Sequence, residues 1–312
     1  MTDHAPAAPS YDDVRAAAGR IAGRVRPVAV VPAGEGLWFA LEQLQHTGSF
    51  KARGARNFIA AHRETGTLPA AGVTIASGGN AGLACAWAAR GEGVPATVFL
   101  PESAPRVKVD KLRSYGADVR LAGTEYAEAL AACEEFGAGS GALVSHAYDH
   151  PLIAAGAGTL LDEIRDRLPE LDTVVVSAGG GGLFTGVAVA ALAHGVRVLV
   201  VEPENCRALN AGLTAGHPVD VPVRSIAADA LGARRASWAA VRTAARPGVT
   251  SLLVPDAAIA EARRALWEEH RLVVEHAAAT AYAGLAGRPG EYGKQVAVVL
   301  CGANTDPSDL AV

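Results

Sequence analysis

Apolar residues recur at helical spacing near the start of the chain, where Val14, Ala17, Ile21 and Val25 share one face and predict an amphipathic helix over residues 11–25. Pro27 and Pro32 bracket a short extended run, residues 36–41 read as a second strand, and a helix is predicted from Lys51 to about Glu64. From Val73 onward, short apolar runs alternate with helical stretches: Val73–Ala76 then 81–90, Ala96–Leu100 then 105–115, 119–121 then 125–136, and 142–145 then 152–167. The alternation continues through Thr173–Ser177 and 196–202, each followed by a helix, while residues 216–248 carry little signal. Strands at 252–254 and 296–300 and helices near 257–269 and 277–286 complete the pattern. Such alternation predicts an α/β fold with a parallel sheet covered on both faces, and no linker divides the series. Residues 1–10, rich in Ala and Pro, read as a mobile tail.

Half of the 312 residues are hydrophobic and 19% are charged, so the chain can bury a core and is not of the disordered class. A formal net charge of −4 without a basic run argues against nucleic acid or an anionic membrane as partner. Apolar stretches such as 196–201 are too short to span a bilayer, and the first ten residues lack a secretory pattern. Cys85, Cys133, Cys206 and Cys301 are scattered without a C-x-x-C pair, so neither a zinc site nor a disulfide framework is expected, and a reducing, cytoplasmic setting fits. The histidines form no ligand pair, and no G-x-S-x-G elbow occurs.

The candidate chemistry starts at Lys51, in Thr47-Gly48-Ser49-Phe50-Lys51-Ala52-Arg53-Gly54, where an apolar run gives way to a helical one. Such a setting can desolvate an ammonium, lower its pKa and yield an amine able to form a Schiff base with a carbonyl. A surface lysine at a helix start is the plain alternative. Gly179, Gly180, Gly181, Gly182 and Leu183 follow a buried strand and open a helix. Consecutive glycines let backbone N–H groups converge on an anion, aided by the helix dipole. The alternatives are a simple tight turn or a dinucleotide loop, and the latter lacks its last glycine because Phe184 or Thr185 stands there. Asn80 sits where a strand gives way to a helix, a common capping position. Cys301 ends the last strand, where a cysteine is often a small buried hydrophobe.

In this order and at these separations, the Lys51 segment, Ala76-Ser77-Gly78-Gly79-Asn80-Ala81-Gly82, the glycine loop and Cys301-Gly302-Ala303-Asn304 resemble one known group. It is the serine/threonine dehydratase (threonine ammonia-lyase) branch of the fold-type II pyridoxal-phosphate enzymes, related to serine racemase. The resemblance runs from about Val14 to Thr305. It implies two open, mostly parallel twisted sheets flanked by helices, like the tryptophan synthase β chain. Residues 1–70 and 151–312 would form a large pyridoxal-phosphate-binding domain and 71–150 a small inserted one, with no C-terminal regulatory domain. Lys51 would be the catalytic residue and carry the cofactor, with Phe50 beside it. Gly179–Gly182 and Leu183 would hold its phosphate, Asn80 its ring hydroxyl, Glu275 would lie near the ring, and Cys301 would face the pyridine nitrogen. Ser77, Gly78, Gly79, Asn80 and Ala81 would receive the substrate carboxylate.

Several departures narrow the expectation. Ala81 replaces a frequent histidine, His276 replaces the proline usual after Glu275, and the 228–232 segment departs from the usual alanine-aspartate-glycine turn. Gly78 stands where racemases carry a serine base, which disfavours racemisation. Ala52 stands where β-replacement synthases usually have aspartate. Glu202 matches a glutamate that holds a divalent ion in racemases, but its partner position is Ala208, and one carboxylate holds a hard cation poorly, so no metal is expected. The expected activity is α,β-elimination of L-threonine or L-serine to a 2-oxo acid and ammonium. A β-replacement synthase, a racemase and a metabolite-binding sensor without turnover are the alternatives. A homodimer acting on a small amino acid, without nucleic acid or membrane, completes the expectation. The side-chain pocket would draw on Phe50, His146, Ala147 and residues 228–233.

Overall fold

The computed structural model describes residues 7–286 and 292–310. Helix α1 (Tyr11–Ile21) begins at Ser10, which forms a capping box with Asp13, and buries Val14, Ala17 and Ile21. The expected tail is therefore shorter: Ser10 is a cap and Pro9 is buried, while residues 1–6 lie outside the described residues. Strands β1 (Val30–Gly34) and β2 (Leu37–Ala40) pair antiparallel. Pro32 lies inside β1 and does not close the run, which is tolerated because β1 is an edge strand.

Helix α2 (Lys51–Glu64) follows, then β3 (Val73–Ala76), α3 (Asn80–Gly91), β4 (Ala96–Leu100), α4 (Arg106–Ser114), β5 (Asp118–Leu121), α5 (Tyr126–Ser140) and β6 (Leu143–Val144). The chain continues through α6 (Pro151–Arg167), β7 (Thr173–Ser177), α7 (Gly182–Ala193), β8 (Arg197–Pro203) and α8 (Ala208–Ala215). It ends with α9 (Ala228–Leu231), α10 (Trp238–Ala244), β9 (Val249–Val254), α11 (Asp256–His270), α12 (His276–Ala283) and β10 (Val296–Val299). Helices α9 and α10 occupy the stretch with little sequence signal. They are too short for a periodic pattern, although Ser237 caps α10 by accepting the Ala240 N–H.

One uninterrupted α/β series in the sequence becomes two sheets in space. The larger has the order β1-β2-β10-β7-β8-β9, and all its pairs except β1–β2 are parallel. The smaller, β5-β4-β3-β6, is parallel throughout. Helix α7 is buried on every side, which accounts for its almost wholly apolar sequence and anchors the glycines at its start. Helix α2 contributes to the core of the smaller sheet through Ala55, Phe58 and Ile59, while its first turn faces the larger one.

That first turn is fixed by a buried guanidinium. Arg53 pairs with both oxygens of Glu42 at 2.8 Å, with Glu163 at 2.6 and 2.8 Å, and with Thr159 Oγ1 at 3.1 Å. Burial opposes its charge, but Glu42 and Glu163 outweigh it and push the guanidinium pKa up. Removing one partner of such a pair strands the others. Arg53→Met is therefore expected to destabilise the fold by about 3–5 kcal/mol, read as a lower denaturant midpoint.

Candidate active site

The carboxyl ends of parallel strands from both sheets converge on one place, as binding sites in α/β folds commonly do. The chain arriving from β2 forms a turn in which Thr47 (φ 63°) and Gly48 (φ 76°) are left-handed. The turn is sewn to the end of β10: Phe50 N–H donates to Cys301 O at 3.0 Å, Ala303 N–H donates to Gly48 O at 2.9 Å, and Ser49 and Gly302 form an antiparallel bridge. Lys51, the first residue of α2, is thereby set beside Cys301.

Lys51 Nζ donates to Ala147 O at 2.6 Å and lies 4.9 Å from the centre of the Phe50 ring. Burial lowers its pKa to about 8, although Cys301 and Glu275 pull the other way. The Glu275 carboxyl is itself pushed up by burial, and it accepts both Asn80 Nδ2 contacts at 3.0 Å. Asn80 is not the cap of α3. Gly79 holds that position, and Asn80 is the first helical residue, with its side chain turned towards Glu275 and Asn304. The Cys301 thiol is pushed well up, chiefly by burial, and stays neutral, with its Sγ 3.8 Å from Ser177 Oγ.

Ser177 ends β7, and the glycines follow after Ala178. Gly181 has φ 97°, a conformation that L side chains rarely adopt, and it caps α7. A Cβ on Gly180 would come within 2.3 Å of the Tyr148 ring, so the loop packs directly on the segment whose Ala147 carbonyl takes Lys51. The first turn of α7 offers backbone N–H groups that have no partner inside the helix. Thr185 Oγ1, on α7, and Ser49 Oγ, in the turn bridged to Gly302, are buried without a hydrogen-bond partner. The set fits a phosphorylated pyridine aldehyde: a loop of N–H donors for a dianion, a low-pKa amine for the aldehyde, an amide for a ring hydroxyl and a neutral thiol for a ring nitrogen.

The turn 77–79 lies between β3 and Asn80. At Gly78 a Cβ would meet Leu100 Cδ2 at 2.6 Å, so a larger residue displaces Leu100. Leu183 is buried in the first turn of α7. His146 Nδ1 accepts the Tyr148 and Asp149 N–H groups at 3.3 and 2.9 Å, which leaves Nε2 to carry the proton of the neutral ring. Glu202 accepts the Leu209 and Asn210 N–H groups, both at 2.8 Å, at the start of α8. Burial raises its pKa to about 8 against these bonds. Sequence reasoning assigned no role to Tyr148, Lys111 or Asn304. Only the quoted Cys301-Gly302-Ala303-Asn304 motif could have pointed to the last of them.

Comparison with known proteins agrees with this geometry. A family model described as pyridoxal-phosphate dependent enzyme matches residues 25–302. The chain is 36% identical to an L-threonine ammonia-lyase of Geobacter sulfurreducens, over 97% of this chain and 77% of that protein. It is 32% identical to a serine dehydratase-like protein of Rattus norvegicus, covering 87% and 86%. Among solved structures, maize serine racemase superposes with a TM-score of 0.89 at 29% identity, covering 97% and 96%. With a family model spanning nearly its whole length and relatives of this kind, the chain belongs to the pyridoxal-phosphate dependent enzyme family.

Proposed function

We propose that this chain is a dehydratase and ammonia-lyase that converts a small β-hydroxy amino acid, L-threonine or L-serine, to its 2-oxo acid and ammonium. The observation that carries the reading is a neutral thiol, Cys301, beside a low-pKa amine, Lys51. A thiol does not hold a pyridine nitrogen protonated as a carboxylate does, and this weaker electron sink suits elimination, where departure of the β-group relieves the carbanion. The names of the similar ammonia-lyase and dehydratase-like proteins support the same reading.

Gly179–Gly182 and Leu183 would hold the cofactor phosphate, Asn80 the ring hydroxyl and Cys301 the ring nitrogen, with Phe50 and Glu275 alongside. Bound there, pyridoxal phosphate supplies an aldehyde for the substrate amine and an electron sink for the Cα carbanion. Lys51 Nζ takes the Cα proton, and its low pKa keeps a large share of the amine neutral near pH 8. Ser77 and the N–H groups of Gly78, Gly79 and Ala81 orient the substrate carboxylate beside Asn80. Loss of the Cα proton and the β-hydroxyl, followed by water addition and release of ammonium, leaves the 2-oxo acid.

The reading places the site between a smaller unit, residues 71–150, and a larger one formed by 1–70 and 151–312, supported by the two separate sheets. It carries with it a homodimer in a reducing, cytoplasmic setting. The four free, buried cysteines support the reducing setting. Among the described residues no helix is long and apolar enough to cross a membrane. The likeness to serine racemase keeps a second reading in view. Gly78 argues against it, since it offers no side chain to return a proton and Leu100 crowds the position.

Three outcomes test the reading. Lys51→Ala is expected to abolish 2-oxo acid formation from threonine and serine, together with the cofactor band near roughly 410 nm; turnover surviving in that variant would remove the central assignment. With the cofactor-free wild-type protein, trapping of the Lys51 amine by a carbonyl reagent and borohydride should rise with pH through about 8, because the neutral form is the nucleophile. A midpoint at the ordinary lysine value would show that the amine is not desolvated. Substrate recovered part-way through turnover should remain a single enantiomer, and a racemic remainder would favour the racemase reading.

A further inference from the structure

Asn304, just beyond β10, contacts the turn before Lys51, the Asn80 amide and the Glu275 carboxyl. Its Nδ2 donates to Thr47 O and to Asn80 Oδ1, both at 2.7 Å, and its Oδ1 accepts Lys111 Nζ at 2.6 Å. Its backbone N–H donates to the Glu275 carboxyl. The left-handed turn before Lys51 lies directly against its amide, since a Cβ on Gly48 would come within 2.9 Å of Asn304 Oδ1. Lys111 comes from α4, on the smaller sheet, and the same helix sends Lys108 to Asp229 at 2.5 Å on the other side.

We propose that Asn304 is a positioning residue for pyridoxal-phosphate binding, fixing the amide orientation of Asn80 and backing the Thr47–Lys51 turn, and that Lys111 sets its own orientation. A side-chain amide has two unlike ends, and the network decides which end faces where. Asn80 Oδ1 is taken by an Asn304 N–H, so Asn80 Nδ2 must face Glu275 and the ring site. Were the amide reversed, an oxygen would confront the Glu275 carboxyl. Asn304 can hold this arrangement because one N–H goes to Asn80, the other to Thr47, and its oxygen is occupied by an ammonium. Polar networks of this type couple their members, so loss of one is felt through another.

The proposal rests on the reading of Asn80 as a cofactor contact, and the test separates the two. Asn304→Asp is nearly isosteric and keeps an acceptor for Lys111, but it sets a carboxylate oxygen against Thr47 O and Asn80 Oδ1. Full-length cofactor-free protein would be titrated with pyridoxal phosphate for the wild type, N80A, N304D, K111M, and the doubles N80A/N304D and N80A/K111M, recording the dissociation constant and the absorbance spectrum. N304D is expected to weaken binding about tenfold and to shift the bound-cofactor spectrum in the direction seen with N80A, yet to add less than about twofold in the N80A background. K111M, a change at an exposed position, should show a weaker form of the same pattern, and it serves as the test should N304D not fold. If N80A leaves binding and spectrum unchanged, the Asn80 reading fails. If N80A weakens binding while N304D and K111M do not, or if their losses add in full to that of N80A, Asn304 does not act through Asn80 and the proposal is overturned.

Discussion

The buried guanidinium of Arg53 is the constraint from which the site follows. It lies two residues beyond Lys51 on α2 and is closed off by Glu42 from the segment after β2 and by Glu163 from α6. A charge removed from water is tolerated only with close partners, and Arg53 has two carboxylates and a hydroxyl. Those partners come from distant stretches, so satisfying the guanidinium fixes the roll and depth of α2. Glu163 also accepts the Val28 N–H, which extends the knot to the start of β1. Helix orientation then decides where Lys51 points, and the bridge from Ser49 to Gly302 decides what it faces.

Around Lys51 the same physics acts on groups of opposite character. Burial lowers the lysine and raises Glu275 and Cys301, so each charged form is disfavoured where the three meet. The chain offsets part of this cost with amides: Asn80 on Glu275, and Asn304 on Asn80. A half-buried, hydrogen-bonded pocket whose amine is partly neutral is suited to carbonyl chemistry and to moving one proton at carbon. Through Lys108 and Lys111, one helix of the smaller sheet reaches Asp229 and Asn304.

Much of the site was legible because its chemistry is written in short local segments. The glycines between β7 and α7 are required where they stand: Gly181 is left-handed, and Gly180 leaves no space beside Tyr148. The alternation of strand and helix was legible for the same reason, since each element carries its own period. Some features were not. Asn80 had the position of a cap, and only the structure shows Gly79 in that place and the asparagine amide turned to Glu275. Pro32 signalled a boundary yet lies inside a strand, because an edge leaves its missing N–H without consequence. Glu202 had no role in the sequence reading, and only the structure shows that it accepts the free N–H groups at the start of α8.

By itself, the sequence determined the candidate residues and the elements that hold them, because a lysine after a turn, a glycine run after a buried strand and helical periodicity are properties of neighbouring residues. It did not determine partners. That β3 to β6 pair among themselves and not with the other strands, that Ala147 offers its carbonyl to Lys51, and that Asn304 reaches Thr47, Asn80 and Lys111 are relations across many intervening residues. They were decided only when burial of the two cores and the demand that buried polar groups be paired were met together, and no local pattern encodes that joint condition.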